Sequence, residues 1–597
     1  MAPTPRFAIT SLAALAFALA LVACMAKVVE PQVEDPVPIA VAPPHYPAPA
    51  IPAPSEPVPV EHAAVAGPVP YSQPMVAARA KMDAASPSAA MVGTASGYYA
   101  AEMEAHFRLP SRPLDRENYA HLDDNPIHLV SEDPVSTFSV DVDTGSYSNL
   151  RRMLEAGALP PADAVRTEEL INYFSYGYPL PEDSKQPFSV RTEVAPTPWN
   201  PDTLLVQVGI KGYAVPTDER PPANLVFLID VSGSMQDEAK LALLKPALAM
   251  FARTLRPEDK VSIVVYAGAS GLVLAPTSGA KQGEIEAALQ GLEAGGSTNG
   301  GDGIRLAYAM ARQGFIKGGI NRVVLATDGD FNVGTVSFEA LVDLVKAQRA
   351  SGITLTTLGV GTGNYNDRLM EQLADAGNGN YAYLDSLKEA RKVLVEQVGS
   401  TLQVIAGDVK AQLEFNPQLV AEYRLIGYEN RVLRREDFNN DQVDAGDIGA
   451  GHTVTALYEV TLVGSPGQRV DALRYGKGMD DPKRGPQPIV QAKDELAFLK
   501  LRYKRPGETA SQLIQQPIRA SAVRKSPSED LAFAAAVAAF GQKLRGGEQL
   551  GRYSWQAIEQ LARGARGADP RGERGEFLGL VGLASSLTPT AEQQAAR

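Results

Sequence analysis

The stretch NLVFLIDVSGSM, Asn224 to Met235, decides the fold of this chain. Its first half is an uninterrupted apolar run of the kind a strand shows when both its faces are covered. Its end carries Asp230, Ser232 and Ser234, each two residues from the next, so three oxygen-bearing side chains crowd one turn. Outward from this point the pattern repeats. The runs "KVSIVVYAG", "RVVLATDGD", "ITLTTLGVG" and "NYAYLDS" alternate with helical spacings such as Leu241, Leu244, Leu248, Phe251 and Leu255, or Leu341, Leu344 and Val345. Strand and helix alternating over about 180 residues predict an α/β unit, a doubly wound, mostly parallel, Rossmann-like sheet with helices on both faces. Pro246 lies inside the first helical pattern and predicts a kink there.

Sheets of this kind bind ligands at the carboxyl ends of their strands, where the strand order reverses. Two further loops follow apolar runs or glycines: "GGSTNGGDG" with Thr298 and "LATDGD" with Asp328. Oxygen donors without sulfur or imidazole suit a hard cation, Mg²⁺ or Mn²⁺, since both accept six oxygens. Two carboxylates balance the charge of the ion, and hydroxyls keep it electrophilic, so that a position held by water can pass to an incoming Asp or Glu. An ordinary strand-to-helix turn with an N-cap also uses Asp and Ser, and is the alternative for Asp230 and the serines taken alone. The set Asp230, Ser232, Ser234, Thr298 and Asp328 resembles the metal-ion-dependent adhesion site of von Willebrand factor type A domains. That resemblance implies direct ion contacts from the two serines, a direct or water-mediated contact from Thr298, and largely water-mediated contacts from the two aspartates. The flanking strings "FSVDVDTGSYSNLRRMLEAGALPPADAVRTEELINYF" and "DAGDIGAGHTVTALYEV" are similar to regions of a bacterial family of type A domain lipoproteins.

The remaining sequence sets the context. Across 597 residues, a prior of about 150 per domain suggests roughly four units, and 45% apolar residues suffice for real cores. The formal charge of -13 argues against nucleic acid as a partner. Residues 1–23 read as a signal segment: Arg6, an apolar run from Phe7 to Val22, and "LVAC", which resembles the lipobox whose cysteine, here Cys24, is lipidated. Met25 in place of aspartate points, by the same resemblance, to the periplasmic face of an outer membrane. Residues 24–115, rich in Pro and Ala, read as a disordered tether. Residues 116–222 mix strands ("FSVRTEVAP", "TLLVQVGIKGY") with helices, one of them over "ADAVRTEELINYF". The α/β unit spans 223–402. Residues 403–510 alternate with period two, as at Val409, Ala411, Leu413 and Phe415, and predict antiparallel strands. Strands on both sides of the α/β unit predict that it is inserted in one β-sandwich. Residues 511–597 are expected to be helical, with three helices from Ser526 onward.

Several weaker patterns have plainer readings. "DTGS" at Asp143 matches aspartic proteases, but they need two such carboxylates and this chain has one; a helix N-cap or turn is the simpler reading. Asp437, Asn439 and Asp441 have calcium-loop spacing, but Gln442 stands where glycine is expected and Ile448 at the bidentate position, so Ca²⁺ competes with an ordinary polar loop. "SGAK" at Ser278 to Lys281 reads as a helix start, and "GVGTGN" departs from the nucleotide fingerprint. The expectation is a lipid-anchored envelope protein, not an enzyme, that binds a protein ligand presenting Asp or Glu. The alternative is an assembly factor whose site is filled from within, by Glu168 or Glu169.

Overall fold

The computed structural model describes residues 117–140, 142–182, 186–216, 219–329, 337–471 and 493–589. The signal segment, Cys24 and the Pro/Ala-rich stretch lie outside the described residues.

The strand Ala223–Asp230 is buried along its whole length and occupies the centre of a six-stranded sheet. On one side it pairs in parallel with Lys260–Tyr266, which pairs antiparallel with the edge strand Ser270–Ser278. On the other side Ile320–Thr327, Thr354–Val360 and Tyr381–Leu384 follow, all in parallel. The chain thus winds out in both directions from Ala223–Asp230, and strand order reverses beside it. Leu225, Phe227 and Ile229 face one core with the helices Leu241–Ala252 and Gln282–Gln290. Val226 and Leu228 face the other, with Gly300–Gln313, Phe338–Ala350 and Asp367–Ala376. Two covered faces explain why the run is apolar at every position.

Five of the six strands coincide with the apolar runs. Ser270–Ser278 does not, because Gly271 and Pro276 resemble turn residues and Leu272 and Val273 are exposed on an edge. The helix Leu241–Ala252 continues through Pro246. The carbonyl that loses its donor there belongs to Ala242, which is exposed, so water can satisfy it.

The flanks form two further sheets. In one, His128–Leu129, Val420–Ile426, Thr453–Leu462, Asn200–Gly212 and Phe188–Thr197 are antiparallel neighbours in that order. In the other, Val404–Phe415 pairs with Val135–Ser139, Ile448–Gly449 and Glu495–Lys504, and the last pairs with Ser511–Arg519. Phe138, Phe188, Val206 and Val208 from before the α/β unit share a core with Leu413, Phe415, Tyr458 and Leu499 from after it. The α/β unit is therefore inserted in one sandwich, since both flanks contribute strands to each of the two sheets and side chains to their shared core. Ser511–Arg519 extends the sandwich beyond residue 510, into the segment expected to be helical; its Pro517 is tolerated because the strand lies at an edge.

Three helices, Glu529–Leu544, Trp555–Gly564 and Glu573–Leu587, follow. Ser528 caps the first by accepting from the Leu531 backbone at 3.2 Å. Apolar on every side from Leu531 to Gly541, this helix is a core helix. It packs on Thr167–Asn172 from the N-terminal flank, while Glu573–Leu587 packs on Gly145–Glu155. The helix Thr167–Asn172 is shorter than "ADAVRTEELINYF" predicts: Arg166 is extended, its guanidinium turned into a buried cluster with Glu169, Asp367 and Glu371. Phe174 meets Phe533 edge-on at 5.0 Å, Phe577 at 5.6 Å and Tyr147 at 5.2 Å, and so joins the N-terminal helices to the C-terminal ones. Phe174→Ala is expected to cost about 3–5 kcal/mol, the usual range for a deleted core aromatic. The check is urea unfolding followed by the emission of Trp199 and Trp555, which should show a lowered midpoint.

Candidate metal site

At the end of the central strand the chain must turn without leaving a buried carboxylate unpaired. Asp230 is fully buried. Its Oδ1 accepts from the Ser232 backbone at 2.8 Å, an Asx turn, and its Oδ2 accepts from the Tyr266 hydroxyl at 3.1 Å and Thr327 Oγ1 at 2.9 Å. Ser232 then opens a short 3-10 turn, Gly233–Gln236, and its hydroxyl lies 3.0 Å from that of Ser234. Burial pushes the Asp230 carboxyl up, and the charge of Asp328 adds to this, against the donors from Ser232 and Thr327.

Asp328 follows the strand Ile320–Thr327 and is fully buried too. Burial opposes its charge, but the ammonium of Lys240 together with Ser234 and Asn364 holds its carboxyl below the usual range. Lys240 Nζ donates to Asp328 Oδ2 at 2.9 Å and Asn364 Nδ2 donates to the same oxygen at 3.1 Å. Gly329 must be glycine: its φ is +86°, and a Cβ would stand 2.3 Å from the Asn366 backbone nitrogen.

The third loop is tied to the first by main chain. Gly233 N–H donates to Gly296 O at 2.9 Å, and Gly295 N–H to Val231 O at 2.7 Å. Thr298, half-buried, comes two residues after Gly296 and just before the helix Gly300–Gln313, whose Gly303 packs on Tyr266. The structure thus brings Asp230, Ser232, Ser234 and Asp328 together and binds the Thr298 loop to them. An oxygen-only donor set with two buried carboxylates fits a hard divalent ion.

Lys240, Tyr266 and Asn364 escaped the sequence reading. One signal could have exposed Lys240: it stands at the N-cap of Leu241–Ala252, where the helix dipole disfavours a cation.

The other sequence candidates go elsewhere. Asp437 is held by both arms of Arg434, at 3.0 and 2.9 Å, while Asp441 faces Arg502 at 3.0 Å and the Ser511 hydroxyl. With each carboxylate turned to its own partners, Asp437, Asn439 and Asp441 make no common cage for Ca²⁺, and among the described residues no cluster of three or more acidic, His or Cys side chains suits a metal. Asp143 accepts from the Tyr381 backbone at 2.8 Å, a tertiary contact made just ahead of the helix Gly145–Glu155, so the carboxylate of the lone "DTGS" ties the N-terminal flank to the strand Tyr381–Leu384. Glu169 accepts from the Ser146 backbone at 2.8 Å and from Arg166. Glu168 packs against the left-handed pair Gly427 and Tyr428. The observed partners of both glutamates lie in the flank, not among the candidate ligands.

Comparison with known proteins bears on the same regions. Residues 224–396 match the von Willebrand factor type A domain model, 113–207 the model described as von Willebrand factor, and 400–587 that of the C-terminal region of the uncharacterized protein YfbK. Uncharacterized protein YfbK of Escherichia coli is 50% identical over 480 residues, 79% of this chain and 82% of that protein. Uncharacterized protein sll0103 of Synechocystis is 25% identical, over 31% of this chain and 43% of its own length. Among solved structures, a von Willebrand factor type A protein from Catenulispora acidiphila is 15% identical, covering 70% of this chain and 99% of its own, with a TM-score of 0.38.

Glu168 yields a prediction of its own. Burial, and then the charges of Glu429 and Glu169, push its carboxyl from 4.5 up to about 8. A raised folded-state value means that the stability it contributes is full below pH 4.5 and is lost as pH rises through about 8. Glu168→Gln should therefore melt progressively higher than wild type as pH is raised from 4.5 to 9, with the two curves meeting at the acid end.

Proposed function

This chain belongs to the family of the uncharacterized protein YfbK, built around a von Willebrand factor type A domain, and from that premise we propose that it is a lipid-anchored envelope protein that captures a protein ligand through a divalent ion. Type A domain membership supports a protein-interaction role. The finer reading rests on one observation, the convergence of the Asp230, Ser232 and Ser234 turn with Asp328 at the strand-order reversal.

In this reading Ser232, Ser234 and Thr298 hold Mg²⁺ or Mn²⁺, and Asp230 and Asp328 balance its charge. When bound, the ion offers an electrophilic position to an Asp or Glu of the partner. The chain's own part is to keep the oxygens in place: Tyr266 and Thr327 fix Asp230, while Lys240 and Asn364 fix Asp328. No residue is assigned a catalytic role. Cys24 supplies the anchor, and the stretch 24–115 would let the folded part stand clear of the lipid at the periplasmic face of the outer membrane.

Pull-down from envelope extract tests the ligand reading. Wild type with Mg²⁺ should retain a partner that EDTA or Ser232→Ala releases, while circular dichroism stays unchanged; capture that ignores both treatments would refute it. The anchor is tested separately, because Cys24→Ala should abolish metabolic labelling by fatty acid and move the protein from the membrane to the soluble fraction.

A further inference from the structure

We propose that Lys240 is a built-in counter-cation of the metal site, which neutralises Asp328 before a divalent ion arrives and thereby lowers the affinity of the site for that ion. The inference rests on the reading that Asp230, Ser232, Ser234, Thr298 and Asp328 hold the ion.

Three observations carry it. The first is a closed triangle: Lys240 Nζ donates to Asp328 Oδ2 at 2.9 Å and to Asn364 Oδ1 at 3.1 Å, and Asn364 Nδ2 donates back to Asp328 Oδ2 at 3.1 Å. Each polar group of Asn364 is thus spent on holding the ammonium and the carboxylate to each other. The second is position. Ordering a lysine costs side-chain entropy, and a cation at a helix N-terminus opposes the dipole, so neither helix formation nor solubility favours Lys240 where it stands. Its side chain is nevertheless buried, only 7% exposed.

The third is the enclosure of its stem. Gly361 has φ +79°, and a Cβ there would lie 2.3 Å from Lys240 Cε and 2.5 Å from Cγ, so only a glycine lets the stem pass. That glycine is held from two sides. The Tyr383 hydroxyl donates to Gly361 O, and two residues on, Gly363 N–H donates to Glu117 Oε1 at 2.9 Å. The Asn118 backbone donates to Tyr365 O at 2.8 Å and completes the brace from the N-terminal flank. The ammonium therefore sits in a place made for it.

The consequence is electrostatic. Asp230 and Asp328 present two negative charges and Lys240 returns one, so an incoming divalent ion meets a net charge of one instead of two. It also meets a like charge already bonded to Asp328. In a partly dry cleft such repulsion is weakly screened.

Titration of the full chain with Mn²⁺, reading the free ion by electron paramagnetic resonance, tests the assignment. Lys240→Met removes the charge; Lys240→Gln removes it while keeping a hydrogen-bond donor for Asp328, and covers the case in which the methionine variant does not fold. Both neutral variants should bind Mn²⁺ about tenfold more tightly than wild type, a modest share of what one nearby charge is worth in such a site. Without metal they should melt lower than wild type, and Mn²⁺ should raise their melting temperature by more. A Ser232→Ala, Ser234→Ala double variant should bind no Mn²⁺. Wild-type binding with equal or weaker binding by the neutral variants would overturn the role of Lys240 and leave the metal site standing. Absence of binding by wild type and by every Lys240 variant would overturn the metal site, and the inference with it.

Discussion

The antiparallel ladder between Asn200–Gly212 and Thr453–Leu462, running from Lys211 opposite Thr453 to Leu204 opposite Val460, joins the two flanks of the chain. Lys211 Nζ seals its end by donating to Gly451 O at 2.7 Å and Thr453 Oγ1 at 2.9 Å. The residues it pairs are separated by the whole α/β unit. Closure entropy grows only slowly with loop length, so a long insertion is tolerated once the paired strands bury enough apolar surface. Val206, Val208, Ala456 and Tyr458 are that surface. With the ladder formed, both ends of the inserted unit emerge from one body, and its sheet need not carry the fold alone.

Charged residues then set how the inserted unit meets its flank. Arg151 reaches Asp385 at 2.6 Å, Glu389 at 2.7 Å and Glu576 at 2.7 Å, while Arg166 is buried among Glu169, Asp367 and Glu371. Buried ion pairs add little net stability over an apolar equivalent, yet removing one partner strands the other at a cost of about 3–5 kcal/mol. Their effect is to penalise every arrangement but one. Since Asp385, Glu389 and Asp367 belong to the α/β unit while Arg151 and Arg166 do not, that arrangement concerns the junction itself.

The same junction reaches the candidate metal site. Asn364 lies on the loop between Thr354–Val360 and Asp367–Ala376, and that loop is held by the Glu117 carboxylate, which accepts from Gly363 N–H, and by the Asn118 backbone, which donates to Tyr365 O. Asp328 is thus oriented by a lysine and an asparagine whose loop the flank braces. An isolated α/β unit would lack that brace, which gives the flanks a part in the site beyond support.

How much of this was legible follows from the range of each interaction. Burial on two faces leaves its mark residue by residue, so Ala223–Asp230 and the strands like it could be read from their apolar runs, and the carboxylate and hydroxyls at the strand end from their spacing. The amphipathic and apolar helices were readable for the same reason. Ser270–Ser278 was hidden because an exposed edge strand needs little apolar pattern, and the spacing of Asp437 to Asp441 left a calcium loop and a polar loop both open because nothing local announces that Arg434, Arg502 and Ser511 will meet those carboxylates. Chain sequence by itself determined the α/β class, the insertion between strand-rich flanks and the candidate ligands, since all of these rest on local periodicity and residue chemistry. Tertiary structure alone decided that Lys240, Tyr266, Thr327 and Asn364 surround the two aspartates, because those contacts span 36 to 124 residues and exist only once strands from distant segments lie side by side.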